Sequence, residues 1–119
     1  MNYLLDTNAV IYLHKGLLAK PLPVGRHFIS VITEIELLSF PTLTTDQERA
    51  VQELLADVPV IGINEDVKRE AIRLRREHRF RVPDAIIVAT ALCLDAELIS
   101  NDTALTTVPD LKVRPVHLK

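Results

Sequence analysis

The stretch Pro83-Asp84-Ala85-Ile86-Ile87-Val88-Ala89-Thr90-Ala91-Leu92-Cys93-Leu94 decides the fold. From residue 85 to residue 94 it is apolar on nearly every side. A helix with no polar face must lie buried against a sheet rather than on the surface. Outward from it, Glu97-Leu98-Ile99-Ser100 and Val113 to Val116 read as the two last strands. On the other side, from Asn64 onward, Val67, Ala71, Ile72 and Leu74 form one stripe of a helix whose other faces carry arginines. Val60-Ile61-Gly62-Ile63 reads as a strand, preceded by Ala50, Val51, Leu54 and Leu55 at helical spacing. His27 to Ile32 is a further strand, and Thr33 is placed to cap a short helix through Leu38 that Pro41 helps end. The first strand, Tyr3-Leu4-Leu5, runs into Asp6-Thr7-Asn8, where Val10, Ile11 and Leu13 begin a helix.

Short, continuously apolar strands alternating with helices imply a parallel sheet covered on both faces. The expectation is a three-layer α/β/α domain with a central, mostly parallel sheet of four to five strands. No linker, repeat or low-complexity segment interrupts the chain, so residues 1–119 read as a single domain. Of the 119 residues, 48% are apolar and 25% charged, which excludes intrinsic disorder, collagen and coiled coil. The lone Cys93 has no internal disulfide partner, and its apolar surroundings predict a buried thiol in a reducing cytoplasm. No basic leader precedes Asp6, and the longest apolar run is half a membrane span, so neither secretion nor membrane insertion is expected.

In a parallel sheet of this kind the functional surface lies beyond the carboxyl ends of the strands. Four acids occupy those positions: Asp6, Glu36, Asp84 and Asp102. One such acid is ordinarily a helix cap. Four together imply a shared acidic pocket, in which the carboxylates repel one another unless a cation sits among them; hard oxygen donors favour Mg²⁺ or Mn²⁺. His14, His27, His78 and His117 are scattered without zinc-ligand spacing. With only Gly16, Gly25 and Gly62 there is no phosphate loop or dinucleotide fingerprint, and there is no serine elbow.

The strings Leu4-Leu5-Asp6-Thr7-Asn8, Ser30-Val31-Ile32-Thr33-Glu34-Ile35-Glu36-Leu37, Pro83-Asp84-Ala85-Ile86-Ile87-Val88-Ala89-Thr90-Ala91 and Leu98-Ile99-Ser100-Asn101-Asp102 stand in the order of four short motifs. In them the chain closely resembles PIN-domain ribonucleases, and within that family VapC-type toxins of toxin–antitoxin pairs. The resemblance runs from residue 2 to about 116. It implies an endoribonuclease in which Asp6, Glu36, Asp84 and Asp102 hold one or two Mg²⁺ or Mn²⁺ ions and water is the nucleophile. It also implies a cognate antitoxin and a homodimer. Tyr12, Leu13, Leu17, Leu18, Leu37, Leu38 and Phe40 are candidates to line the antitoxin groove, or else to pack in the core.

Lesser roles follow from position. Thr7 and Asn8 match the motif after the first acid, where a hydroxyl or amide orients a carboxylate or water, or simply caps the helix. Thr33 matches too and is a candidate to support the site, with capping of the second helix its expected task. Glu34 and Glu36 lie about 200° apart on a helix, so only one faces the pocket; the family pattern picks Glu36. Asn101 neighbours Asp102 as an alternative fourth site residue, Asp102 being favoured for its charge. Seven Lys/Arg crowd residues 68–81 against Glu70 and Glu77 alone. Of these, Arg69, Arg73, Arg76, Arg79 and Arg81 are candidates to track an RNA backbone, the bland reading being a solvated face of i,i+3 and i,i+4 ion pairs. The competing functions are a housekeeping PIN nuclease in RNA processing and a non-catalytic RNA- or protein-binding module.

Overall fold

The computed structural model describes residues 1–119. Five strands, β1 (Asn2–Leu5), β2 (Arg26–Ser30), β3 (Val60–Ile61), β4 (Glu97–Ile99) and β5 (Val113–Arg114), form one sheet in the order β3-β2-β1-β4-β5. Every pairing is parallel, so the expected mostly parallel sheet is wholly so. The helices are α1 (Thr7–His14), α2 (Val31–Leu38), α3 (Thr45–Ala56), α4 (Glu65–His78) and α5 (Val82–Cys93). No helix is long and apolar enough to cross a membrane.

The period-2 alternation of β1 sorts the two covering layers. Leu4 points, with Leu98 of β4, into a core built mainly from α4 and α5. Tyr3 and Leu5 point the other way, with Ile29 and Ile99, into a core closed by α1, α2 and α3. The apolar α5 lies where its composition demands, Ala85 through Ala91 all buried. Gly25, at the entry to β2, has φ 158°; a Cβ there would stand 2.6 Å from the Met1 carbonyl oxygen, so the close approach of the two chains requires glycine.

Several local expectations are corrected. β2 stops at Ser30, because the Ser30 hydroxyl accepts from the Ile32 N–H and turns Val31 and Ile32 into the first residues of α2. Ser30, not Thr33, is therefore the cap. Strand β3 ends at Ile61 rather than Ile63, and β5 at Arg114 rather than Val116. On α4 the buried stripe is Val67, Ala71 and Leu74, while Ile72 is 48% exposed. Cys93, at the last position of α5, is exposed rather than buried. Partial desolvation, with Glu70 and Asp66 nearby, holds its thiol above the ordinary range.

The strand order reverses at β1, whose neighbours β2 and β4 are reached by connections running in opposite directions across the sheet. Beyond the carboxyl ends of β1 and β4 the chains diverge and leave a crevice.

Candidate active site

Asp6 follows β1 directly and is the N-cap of α1, its Oδ1 accepting from the Ala9 N–H at 2.7 Å. Asp102 follows β4 and caps a short 3-10 helix, Thr103–Thr107, its Oδ1 accepting from the Ala104 N–H at 3.0 Å. Glu36 projects from α2, where its Oε1 accepts from the Thr7 hydroxyl at 2.6 Å. Asp84 lies in the first turn of α5, one residue inside Pro83. These four carboxylates, from four different elements, line one open cleft of about 500 Å³, with Thr7, Asn8, Ile11, Phe40 and Arg81 among the other walls. Asp102 and Glu36 each commit one oxygen to the scaffold and leave the second free, while Asp6 is bonded by both the Ala9 N–H and the Ser100 hydroxyl.

The acids sense one another. Burial pushes the Asp6 carboxyl above its ordinary value; the Ser100 hydroxyl and the Ala9 N–H pull it back, and the charges of Asp102 and Asp84 raise it further. Asp84 is also raised, first by burial, with Asp102 and Glu36 adding to the rise and Arg81 opposing it. As they stand, no three His, Cys, Asp or Glu side chains are drawn closely enough together to hold a metal ion in common. Like charges facing one another across a wet cleft keep this distance. Glu36 and Asp102 are both exposed to solvent.

The supporting candidates separate. Thr7 and Asn8 line the cleft; Thr33 lies fully buried beneath it, its hydroxyl 3.1 Å from that of Thr7. Asn101 is not a cleft residue: its Oδ1 accepts from the Val116 N–H and ties down the segment after β5. Glu34 does not reach the cleft. Ser100 escaped the sequence reading. It is 2% exposed, its hydroxyl accepts from the Asp102 N–H at 3.0 Å, and it also steadies the Asp6 carboxylate. Its place two residues before an acid, at the end of an apolar strand, was the available signal.

The arginines separate as well. Arg69 pairs with Asp66 at 3.5 Å, and Arg73 is held by both Glu70 and Glu77. Arg76 and Arg79 are exposed and make no ion pair. Arg81, the N-cap of α5, is the one cation lining the cleft, its Nε 3.9 Å from Asp84 Oδ2. Beside the cleft, sharing Ile11 and Phe40 with it, runs an apolar groove of about 260 Å³ between α1, α2 and α3. Of the expected groove residues only Leu37 and Phe40 line it. Val10, Ile11, Leu43, Val51 and Leu54 replace Tyr12, Leu13, Leu17, Leu18 and Leu38. Leu38 packs against the core instead.

The sequence model of the PIN domain matches residues 3–111. Comparison with curated protein sequences gives no match. Among solved structures, a chain of a toxin–antitoxin complex from Klebsiella pneumoniae is 30% identical, with a TM-score of 0.74, covering 92% of this chain and 94% of that one. A chain of VapBC-1 from nontypeable Haemophilus influenzae is also 30% identical, with a TM-score of 0.74, covering 97% and 98%. A chain of DNA-bound VapBC from Salmonella typhimurium, 20% identical with a TM-score of 0.79 over 97% and 98%, shares the fold. The chain belongs to the PIN domain family, a family of nucleases. Within that family it is of the VapC type.

Proposed function

We propose that this chain is a divalent-metal-dependent endoribonuclease, the toxin of a toxin–antitoxin pair. The observation that carries the reading is the convergence of Asp6, Glu36, Asp84 and Asp102 on one cleft at the carboxyl ends of β1 and β4. The donor set is all oxygen, which fits Mg²⁺ or Mn²⁺, one or two ions, and not a soft metal. When bound, such ions neutralise phosphodiester charge, lower the pKa of the attacking water and stabilise the leaving oxygen.

The protein's own part is to hold carboxylates whose natural tendency is to move apart. Asp6 is fixed by its cap bond and by Ser100, Asp102 by its own cap bond and by its N–H on Ser100, and Glu36 by Thr7. Arg81 supplies the local positive charge that draws a polyanion to an acidic cleft. In-line attack of water on phosphorus breaks the P–O3′ bond and leaves a 3′-hydroxyl and a 5′-phosphate. The RNA 2′-hydroxyl takes no part, so preference for RNA resides in binding. The Klebsiella and Haemophilus structures are toxin–antitoxin complexes. By analogy, an antitoxin segment occupies the apolar groove and shields the cleft it adjoins. The same reading takes residues 1–119 as one PIN domain acting in the cytoplasm as a homodimer.

The test is cleavage of total cellular RNA by the purified protein with Mg²⁺ or Mn²⁺, with EDTA, and with Asp6→Asn and Asp84→Asn. Discrete products ending in 5′-phosphate, lost with EDTA and in both variants, are expected. Absence of cleavage by folded, antitoxin-free protein under every condition would move the assignment to a binding module.

A further inference from the structure

Thr33 makes a single side-chain hydrogen bond, to Thr7, and Thr7 makes one more, to Glu36. The direction of this chain is set by chemistry. A carboxylate only accepts, and the Thr7 hydroxyl has one proton, so at 2.6 Å that proton belongs to Glu36. The Thr33 hydroxyl must then donate to Thr7. Thr33 is wholly excluded from solvent, so water cannot substitute for either partner there.

We infer that Thr33 is a positioning residue, acting through Thr7 to hold Glu36 in the orientation that presents its free oxygen to the cleft. The inference rests on the nuclease reading of the cleft and extends it to a residue that does not touch the cleft. Glu36 needs such help. It is exposed, and Asp6 and Asp102, unlike Glu36, are pinned by backbone N–H groups. Its one structural tie is a hydroxyl that can rotate about its own C–O bond. Occupying that hydroxyl's lone pair from the buried side leaves its proton no better direction than Glu36. Without Thr33 the Thr7 proton samples other directions and Glu36 loses its tether.

The experiment measures Mn²⁺ affinity by isothermal titration calorimetry and cleavage of one RNA substrate, for the wild type, Thr33→Val, Thr33→Ser, Glu36→Gln and the double variant Thr33→Val/Glu36→Gln. Valine keeps the shape and removes the donor. We expect Thr33→Val to weaken Mn²⁺ binding about tenfold, as loss of a group that orients a ligand does, and to lower kcat in step. Thr33→Ser should restore both to within about twofold. In the Glu36→Gln background the Thr33→Val effect on Mn²⁺ affinity should vanish, because the two changes remove the same interaction. Should Thr33→Val fail to fold, as judged by its urea melt, Thr33→Ala carries the same comparison. Wild-type Mn²⁺ affinity in Thr33→Val, or an effect that persists undiminished in the double variant, overturns the inference while leaving the nuclease intact. A wild type that neither binds Mn²⁺ nor cleaves RNA overturns the nuclease reading, and this inference with it.

Discussion

Asp6 shows how one side chain serves both fold and site. Its carboxylate caps α1, yet burial and the neighbouring acids raise its pKa above its ordinary value. A carboxyl raised in the folded state contributes stability below its unfolded pKa, and that contribution is lost as pH climbs through the folded value. At neutral pH the metal-free protein therefore carries a strained anion. Asparagine caps a helix as well as aspartate does. Asp6→Asn should thus melt higher than the wild type at pH 7 without metal, and the gap should close as pH falls toward that ordinary value. Adding Mn²⁺ should reverse the order, since an ion held only by the wild type stabilises it by about 2.7 kcal/mol at a hundred times its Kd. Thermal melts across pH, with and without Mn²⁺, check both halves. The arginines give a second contrast. In an Asp6→Asn background, Arg81→Gln should reduce the slope of log binding constant against log salt for single-stranded RNA by about 0.7, the value of one lost phosphate contact. Arg73→Gln should leave that slope unchanged, because Arg73 is already held by Glu70 and Glu77. Filter binding over a salt series measures it.

At the scale of the element, α4 ends and α5 begins across three residues, and the reversal is made by Arg79 in the left-handed region at φ 58°. A side chain there costs about 1 kcal/mol that glycine does not incur. Arg79→Gly should raise stability by up to that amount in urea unfolding, with an unchanged m-value. The tight turn directs Arg81 and Asp84 toward the cleft. The elements were legible in proportion to how strongly burial dictates them. The apolar circumference of α5 and the Val67, Ala71, Leu74 stripe of α4 gave those helices from sequence, although Ile72 was drawn wrongly into the stripe. The start of α2 was not legible by composition, because Val31 and Ile32 are β-branched and read as more strand. A hydrogen bond from the Ile32 N–H to Ser30 outweighs that propensity. The boundary of α3 carried a plainer signal, the Thr44 and Gln47 capping box, which satisfies both backbone donors reciprocally. The site followed a similar rule. Acids after apolar strands pointed to Asp6 and Asp102, and the family pattern chose Glu36 over Glu34. Ser100 was hidden because its tie to Asp6 joins residues distant in sequence, whereas Thr33 stood as a supporting candidate whose hydrogen-bond partner, Thr7, only the fold reveals.

For the whole molecule, the sheet order places β1 at the centre, with Asn2 paired to Arg26 and Tyr3 to Glu97. Both layers of the core rest on it, Leu4 on one side and Tyr3 and Leu5 on the other. A chain ended before Glu97 lacks the partner on one flank of its central strand, and should show no cooperative thermal transition by circular dichroism. Pairing so remote in sequence also makes folding slow relative to a helical bundle of this size. Translation is directional, and the strand on which everything else is hung is made well before its second neighbour, β4, with β2, β3 and the helices α1 to α5 between them. A chain still on the ribosome holds Asp6, Glu36 and Asp84 but neither β4 nor Asp102, and the walls of the cleft do not yet face one another. On the nuclease reading proposed above, the order of synthesis keeps the cleft unassembled until β4 and Asp102 have been made.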